Sequence, residues 1–549
     1  MALPVDSSAG RPGLPRLSGL ARWFLTADER GNPHTVLDQR HRDRLGWTTG
    51  NQVRPLVHGA TYFRELLRAV EAMSSGDLLM FTDWRGDPDQ LLDGPETEVG
   101  AVFAAAAPRG VDVRGLIWRS HLDRFQFSAS ENRHLGAEIE AAGGQCLLDM
   151  RVRTMGSHHQ KLVVLRHPGR PERDIAFIGG IDLCHSRRDD ARHLGDAQCQ
   201  PIAAVYGARP PWHDIQLAVQ GPAVGDAEAV FRERWEDRAP LSRNPAARIG
   251  ELLYREDRTG RPLPPQLADP APRGGQAVQL LRTYPARHSG YPFAPQGERS
   301  VARGYQKVLA QARSLVYVED QYFWSADVAT VFAAALEREP RLRLIIVVPR
   351  FPDQDGRVSL PPNLLGRVPV LARLQAAAGP RCAVYCLENA VGTPIYVHAK
   401  ACVVDDIWAC VGSDNANRRS WTHDSELSCA VLDTETDATD ATARTEPVGP
   451  AGSWARALRL ELAAEHLGGA VSAEDLLDPV RAFEAFRESA DRLDAWHAAG
   501  RRGPRPPGQL RHYSQPPLSW WTRTWATPMY RLLYDPDGRR ASMRRAHRY

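Results

Sequence analysis

Lysine is nearly missing from this sequence. Lys161, Lys307 and Lys400 are the three lysines among 69 basic residues, so arginine carries almost all of the positive charge. Lys161 and Lys400 each lie two residues after a histidine, His159 and His398. On a β-strand this spacing puts the imidazole and the ammonium on one face. Because an ammonium is a compact, rotatable charge that the planar arginine fork replaces poorly, we expect both lysines to hold phosphate oxygens.

Long hydrophobic runs, a strong net charge and a disulfide framework are missing too. No apolar run reaches the roughly 18 residues of a membrane span, and residues 1–22 lack the apolar core of a secretory signal. The net charge is +3 and the eight cysteines show no framework spacing. We therefore expect no transmembrane segment, no nucleic-acid partner and reduced thiols. The expected location is cytoplasmic, at most peripheral to a membrane.

Metal-ligand patterns are also missing. Cys184, His185, His193 and Cys199 lie near one another but match no common zinc spacing. No group of carboxylates suggests a Mg²⁺ or Ca²⁺ site. We therefore expect no metal and no cofactor, with the lysine ammonium groups standing where a metal ion would otherwise stabilise charge.

What the sequence does contain is a repeat. Apolar patterns typical of alternating helices and strands precede each His-x-Lys motif, and each motif is followed by a Gly-rich turn and a strand that begins with a carboxylate. This predicts an α/β protein built as a pseudo-twofold pair of duplicated, layered α/β units with one shared active site. The predicted divisions are an N-terminal arm (1–50), a first repeat (51–240), a linker (241–275), a second repeat (276–435) and a helical, Arg/Trp-rich C-terminal extension (436–549).

Two imidazoles at one site suit a two-step displacement at phosphorus. One histidine attacks to give a phosphohistidine, and the other protonates the leaving alcohol and then activates water or an incoming alcohol. Asp214 and Glu426 open the strands that follow the motifs and are predicted to fix the imidazole tautomers, although each could also be an ordinary strand-end charge. The residues predicted to bind substrate at the Gly-rich turns are Gly180, Asp182, Ser413, Asn415 and Asn417.

The second motif resembles the signature of the phospholipase D superfamily position by position. It has His398, Lys400, Asp405 five residues beyond the lysine, then Ser413 and Asn415. Further similarity to the lipid-acting branch close to eukaryotic phospholipase D lies in Gly179-Gly-Ile-Asp-Leu183, Pro211-Trp-His-Asp214, Glu319-Asp-Gln-Tyr-Phe323 and Asp424-Ser-Glu426-Leu.

The resemblance implies a pair of mixed β-sheets flanked by helices. It also implies metal-independent cleavage or exchange of a phosphodiester, typically phosphatidylcholine to phosphatidate and choline, with a phospholipid at a membrane surface as substrate and water or an alcohol as acceptor. Members are generally described with the amino-terminal histidine as nucleophile, which is His159 here. By the same resemblance, Asp405 belongs to the catalytic motif.

Three alternatives remain open: a cardiolipin-synthase-like phosphatidyltransferase, a phosphodiesterase acting on nucleic acid, and a non-catalytic scaffold. The last arises because Arg166 occupies the first-motif position of Asp405, so that Glu172, Asp174 or nothing replaces the missing carboxylate. The aromatic and arginine residues of 519–534 suit a lipid headgroup layer, but aromatic residues of this kind also dock on a protein's own body.

Overall fold

The computed structural model describes residues 14–41, 43–120, 129–242, 257, 259–434, 453–546 and 548–549. Each of the five predicted segments therefore has residues outside the described ones: 1–13 and 42 in the arm, 121–128 in the first repeat, 243–256 and 258 in the linker, 435 in the second repeat, and 436–452 and 547 in the extension.

Eighteen strands are described. They are β1 Thr48–Val57, β2 Leu78–Asp83, β3 Asp112–Trp118, β4 Gln145–Asp149, β5 Leu162–Arg166, β6 Ile175–Gly179, β7 Trp212–His213, β8 Ile215–Gln220, β9 Gln276–Tyr284, β10 Glu298–Arg299, β11 Leu315–Asp320, β12 Arg343–Val347, β13 Cys382–Glu388, β14 Pro394–Val397, β15 Lys400–Val404, β16 Trp408–Gly412, β17 Glu426–Asp433 and β18 Leu510–His512.

The helices flank these strands. They are α1 Leu14–Trp23, α2 Ala27–Arg30, α3 Gly59–Glu71, α4 Val99–Ala106, α5 Ala129–Ala141, α6 Ala223–Trp235, α7 Ser300–Leu309, α8 Ala326–Arg338, α9 Leu360–Leu365, α10 Arg367–Ala378, α11 Arg418–Thr422, α12 Trp454–His466, α13 Pro479–Ala498, α14 Trp520–Met529 and α15 Ala541–Arg545. Short 3₁₀ turns span Ala107–Arg109, Pro171–Arg173, Ala204–Tyr206 and Gly379–Arg381, and a π-helical turn spans Tyr530–Tyr534.

Two mixed sheets have the same strand order. The first runs β4-β3-β2-β5-β6-β8-β1, with β2, β3 and β4 parallel and the remaining neighbours antiparallel. The second runs β13-β12-β11-β15-β16-β17-β9 with the same pattern of parallel and antiparallel pairs. This correspondence confirms the predicted fold class of two duplicated α/β units, each a mixed sheet flanked by helices.

The cores follow from the apolar faces of these elements. Alternate residues of both sheets pack between the sheets together with α6 and α12, and this forms the largest buried cluster. The outer face of each sheet is covered by its own helices, as by α3, whose buried Tyr62, Phe63, Leu66 and Val70 recur at helical spacing. β1 pairs with β8 of the first sheet and with β9 of the second, which joins the two units.

The terminal segments are fastened to this body. Lys307 on α7 donates to the carbonyl oxygens of Ala21 and Phe24 at 2.6 and 2.8 Å, so the third lysine holds the N-terminal segment. In the C-terminal extension, β18 adds to β13. The Asp478 side chain caps α13, whose first residue is Pro479.

Candidate active site

Both His-x-Lys motifs open on one cleft of about 300 Å³ between the two units. Backbone segments of the two units pair with each other on both sides of this cleft. His158 bridges to Ser425 and the His159 amide donates to the Ser425 carbonyl, while β14, just before His398, runs parallel to β7. Each histidine therefore lies beside the carboxylate-bearing strand of the opposite repeat.

The histidines and carboxylates pair crosswise as a result. Nδ1 of His159 lies 2.9 Å from Oε2 of Glu426, and Nδ1 of His398 lies 2.6 Å from Oδ2 of Asp214. A carboxylate at Nδ1 selects the tautomer in which Nε2 carries the lone pair. The structure thus brings together the four side chains predicted as two imidazole–carboxylate pairs, each assembled from both repeats.

The two lysines are buried beside the histidines, behind the side chains that line the cleft, and have different neighbours. Nζ of Lys161 lies 3.0 Å from Oδ1 of Asp182 and donates to the His159 carbonyl. Nζ of Lys400 donates to the His398 carbonyl and lies 3.3 Å from Oε1 of Gln321. Lys161 is therefore charge-paired, whereas Lys400 contacts a neutral amide.

The residues predicted to bind substrate fall into two groups. Asp182, Asn415 and Asn417 line the cleft. Ser413 and Gly180 lie behind the carboxylates: Ser413 Oγ donates to Oε2 of Glu426 at 2.6 Å, and a Cβ on Gly180 would approach Oδ1 of Asp214 to 2.3 Å. Gly180 and Ser413 therefore position the carboxylates from equivalent places in the two repeats and do not face the open cleft.

Asp405 requires a correction, because it was predicted among the catalytic residues and does not line the cleft. It lies beyond the far end of β15, and its carboxylate accepts hydrogen bonds from the backbone amides of Arg313, Ser314 and Leu315 at 2.8 to 3.0 Å. With φ of 53° it also begins the tight turn into β16, a conformation that aspartate tolerates. Its role in the structure is to cap the start of β11.

The departure in the first motif is explained by the same geometry. Arg166 is fully buried and forms ion pairs with Asp174 at 2.9 Å and Glu228 at 2.6 Å. The longer connection from β5 to β6 is thus fastened by Asp174, while the side chain of Glu172 is exposed. The change lies away from the cleft and leaves His159, Lys161 and Asp214 in place.

Burial governs the electrostatics of the paired groups. Burial and the neighbouring lysine of the same motif lower the pKa of His159 and of His398 well below the usual range. Burial raises the pKa of Glu426 to about 8 and also raises the pKa of Asp214. Both imidazoles are therefore neutral near pH 7, and both carboxylates have an increased affinity for a proton.

The two sides of the cleft differ in charge. Burial lowers the pKa of Lys400 to about 8, although Asp214 and Asp320 oppose the shift. Burial would raise the pKa of Asp182, but Lys161 and Arg187 outweigh it and hold that pKa below the usual value. Asp182 thus stays ionised beside Lys161.

Several residues of the cleft were not predicted from the sequence. Arg187 lies 3.5 Å from Asp182 and stacks 4.1 Å over the ring of Trp212, and Arg419 forms a 2.7 Å ion pair with Asp424. Lys161 also lies 5.7 Å above the ring of Trp84. An arginine gives no compositional signal in a chain that uses arginine almost everywhere, so a census that singles out lysine cannot find them.

A second cluster lies behind His398. Oε2 of Glu465 is 2.8 Å from Nε2 of His58, and Oε1 is 3.0 Å from Nε2 of His193 and 3.5 Å from Nδ1 of His213. These four residues offer donor atoms within 4.8 Å of one another, and three imidazoles with one carboxylate form a donor set that zinc accepts. The structure shows direct imidazole–carboxylate contacts among them.

The same cluster supports the pair formed by His398 and Asp214. Glu319 contacts Nε2 of His213 at 2.6 Å and Nε2 of His466 at 2.8 Å, so α12 is tied to the strand that carries Asp214. The His213 carbonyl accepts the His398 amide at 2.7 Å. The position of His398 thus depends on this buried network.

Both halves of the chain match profiles of known protein families. The family profile described as Phospholipase D matches residues 90–257, and the profile described as Cardiolipin synthase, PLD-like domain, matches residues 305–444. Each match contains one of the two His-x-Lys motifs. The chain belongs to the phospholipase D superfamily.

Plant members of the phospholipase D superfamily are among its relatives. Phospholipase D alpha 1 of Oryza sativa subsp. japonica is 24% identical over 82% of this chain and 70% of its own length. Phospholipase D alpha 4 of Arabidopsis thaliana is 25% identical over 75% of this chain and 64% of its own length. The similarity therefore extends to eukaryotic-type members, of which this chain spans about two thirds.

Among solved structures, phosphatidylserine synthase from Haemophilus influenzae Rd KW20 aligns with a TM-score of 0.47 at 14% identity, covering 70% of this chain and 83% of that one. Within the described residues of this superfamily member, no helix combines the length and apolarity needed to cross a bilayer.

Proposed function

We propose that this protein is a metal-independent phospholipid phosphodiesterase and transphosphatidylase. It would convert a phosphatidylcholine-type lipid to phosphatidate and free headgroup through a phosphohistidine. The observation that carries the proposal is the crosswise pairing of two histidines with two buried carboxylates at one cleft, with the lysine of each motif held against the carbonyl oxygen of its histidine. The names of the plant relatives support a phospholipid as the substrate.

In the first step, Nε2 of His159 attacks phosphorus and the bond from phosphorus to the headgroup oxygen breaks. His398 gives its proton to that oxygen as the alcohol leaves. The anionic phosphodiester offsets the field of the two lysines, so substrate binding favours the protonated form of His398 that this step needs. Lys161 and Lys400 hold the non-bridging oxygens as charge moves onto them.

In the second step, neutral His398 takes a proton from water or an alcohol, whose oxygen attacks phosphorus and releases His159. Glu426 accepts Nδ1–H of His159, and its carboxylate stabilises the positive charge that the ring gains in the phosphohistidine. Water gives phosphatidate, and an alcohol gives the transphosphatidylation product.

Labelled phosphatidylcholine incubated with ethanol, with and without EDTA, tests the proposal. We expect free choline and phosphatidylethanol in both samples, because the exchange requires a covalent intermediate and the lysines take the place of a metal. Absence of both products, or cleavage of a DNA or RNA substrate in their place, would overturn it.

The description of the profile matched at residues 305–444 favours one second candidate, a cardiolipin-synthase-like phosphatidyltransferase. In that case phosphatidylglycerol should serve as acceptor in the same assay. Cardiolipin forming faster than phosphatidate would favour this candidate over the hydrolase.

A further inference from the structure

The C-terminal extension presents large apolar side chains to solvent. Trp520 is 73% exposed, Trp521 66%, Leu532 68% and Leu533 42%. They lie on α14 and on the π-helical turn that continues it. We call these four side chains the aromatic rim. Aromatic and leucine side chains exposed side by side usually mark an interaction surface.

The segment is built with one anchored and one free side. Ala526 is buried, the Tyr530 ring lies 5.9 Å from that of Trp324, and the Tyr530 hydroxyl donates to the buried carboxylate of Asp535 at 2.8 Å. Trp521 and Leu532 lie three helical turns apart on the side opposite Ala526 and Tyr530. One face of the segment therefore packs against the body of the protein, and the side chains of the rim remain exposed to solvent.

The rim is continuous with the mouth of the active-site cleft. Leu533 and Tyr534 line the cleft. Arg419, also a cleft residue, donates to the Leu533 carbonyl at 2.8 Å, so the rim is held at a fixed place beside the opening. Anything that binds the rim is brought next to the histidines.

The segment that carries the rim, residues 520–534, has charged residues of one sign, Arg523 and Arg531. No aspartate or glutamate occurs between Asp494 and Asp535, a stretch that contains six arginines. Arg523 and Arg531, within the rim segment, are exposed. Tryptophan with arginine is the combination that suits the boundary of a bilayer with anionic lipid, where the ring lies at headgroup depth and each cation gains about 1 kcal/mol near the surface.

We propose that the aromatic rim inserts into the headgroup layer of an anionic phospholipid bilayer and holds the cleft mouth against it. The assignment of the lipid as substrate rests on the proposed function, but the binding of vesicles does not. Replacement of Trp520 and Trp521 should leave the chemistry unchanged, since these two members of the rim do not line the cleft.

The binding test uses the double variant Trp520→Ser/Trp521→Ser in a His159→Ala background, so that no lipid is consumed. Vesicles of phosphatidylcholine with phosphatidylserine are sedimented with the protein, and phosphatidylcholine vesicles report the charge contribution. We expect the double variant to bind at least about tenfold more weakly, as two interfacial tryptophans are lost. Val391→Ser is the matched control, because Val391 is 71% exposed outside the segment and should bind like the parent.

The activity test compares vesicles with a short-chain phosphatidylcholine kept monomeric, using His159-containing protein. The double variant should lose about tenfold on vesicles and nothing on the monomer. Equal vesicle binding by parent and double variant would overturn the proposal, as would a concentration-dependent dimer that only the parent forms and that accounts for the exposed rim. Rim-dependent binding without cleavage of either lipid would refute the proposed function and leave the docking surface standing.

Discussion

The two repeats share one strand order but give their catalytic groups different surroundings. Glu426 beside His159 also accepts a hydrogen bond from Ser413, whereas Asp214 beside His398 faces Gly180, which has no side chain to offer. Lys161 is neutralised by Asp182 at 3.0 Å, whereas Lys400 lies 3.3 Å from the neutral side-chain amide of Gln321. Duplication preserved the frame, and the substitutions around it allow the two histidines to take different roles.

Removal of either imidazole should have the largest effect on activity. His159→Ala should abolish turnover, and His398→Ala should do so for a lipid whose leaving alcohol needs a proton. With a nitrophenyl leaving group, which departs without one, His398→Ala should still form a covalent phosphatidyl adduct. Mass spectrometry of the quenched variant should place that adduct on the peptide with His159. An adduct at His398 in the His159→Ala protein would reverse the roles.

Replacing the lysines tests whether both sides need a point charge. Lys161→Arg and Lys400→Arg should each lower kcat by about 10² or more, since a contact aimed at developing charge is typically that large. Lys307→Arg is the control, because Lys307 binds the N-terminal segment and not the cleft, and its kcat should match the parent. Normal turnover in either cleft variant would remove the argument drawn from lysine scarcity.

The carboxylates should separate orientation from stability. Glu426→Gln and Asp214→Asn keep the shape of the pair but remove the strong acceptor at Nδ1, so kcat should fall by about 10- to 100-fold. The Tm should change little. A parallel fall in Tm and kcat would make these residues structural and would undo the assignment of two imidazole–carboxylate pairs.

Lys400 predicts an asymmetric pH profile. Its ammonium is charged below a pKa of about 8, so the stabilisation it supplies is present below that pH and is lost above it. With Lys400 as the sole cause, kcat/KM should fall about tenfold for each pH unit on the alkaline side, since kcat/KM reports the pKa values of the free enzyme. In Lys400→Arg the slower residual reaction should lack this limb. An unchanged limb in the variant would assign it to another group.

The smallest effect on activity is expected at Asp405. Asp405→Asn weakens the cap on β11 and should lower Tm by several degrees while leaving kcat near the parent value. Arg166→Asp, at the equivalent position of the first repeat, should instead destabilise strongly, because it places a third carboxylate beside Asp174 and Glu228. A large loss of kcat in Asp405→Asn at unchanged Tm would return Asp405 to the catalytic set.

Much of the fold could be predicted because both copies of the repeat show the same local sequence patterns of helices and strands. Alternating helix and strand signals, repeated in the same order around His159 and His398, specify the layered class and the duplication. The signature residues identified the superfamily, and the matched profiles confirm it. Membership in the signature motif does not distinguish a cleft residue from a residue that caps a strand. Lys400 begins β15 and Asp405 follows its other end, so Asp405 lies away from the cleft although it belongs to the motif.

Other parts of the site depend on contacts between distant segments. The pairing of each carboxylate with its histidine depends on the contacts between the two units at His158 and at β14. No local sequence pattern encodes these contacts. Arg187 enters the cleft by tertiary packing alone. The exposure of Trp520 and Trp521 could not be read from composition, since the same residues could have packed inward as Tyr530 does. The catalytic roles of the residues remain predictions.

The crosswise pairing has a consequence during protein synthesis. Glu426 lies 267 residues after His159, and His398 lies 184 residues after Asp214. The ribosome therefore releases His159 and Lys161 long before the carboxylate that contacts that histidine. A chain that ends before His398 holds neither complete pair. Assembly of both pairs therefore requires that both repeats have been synthesised.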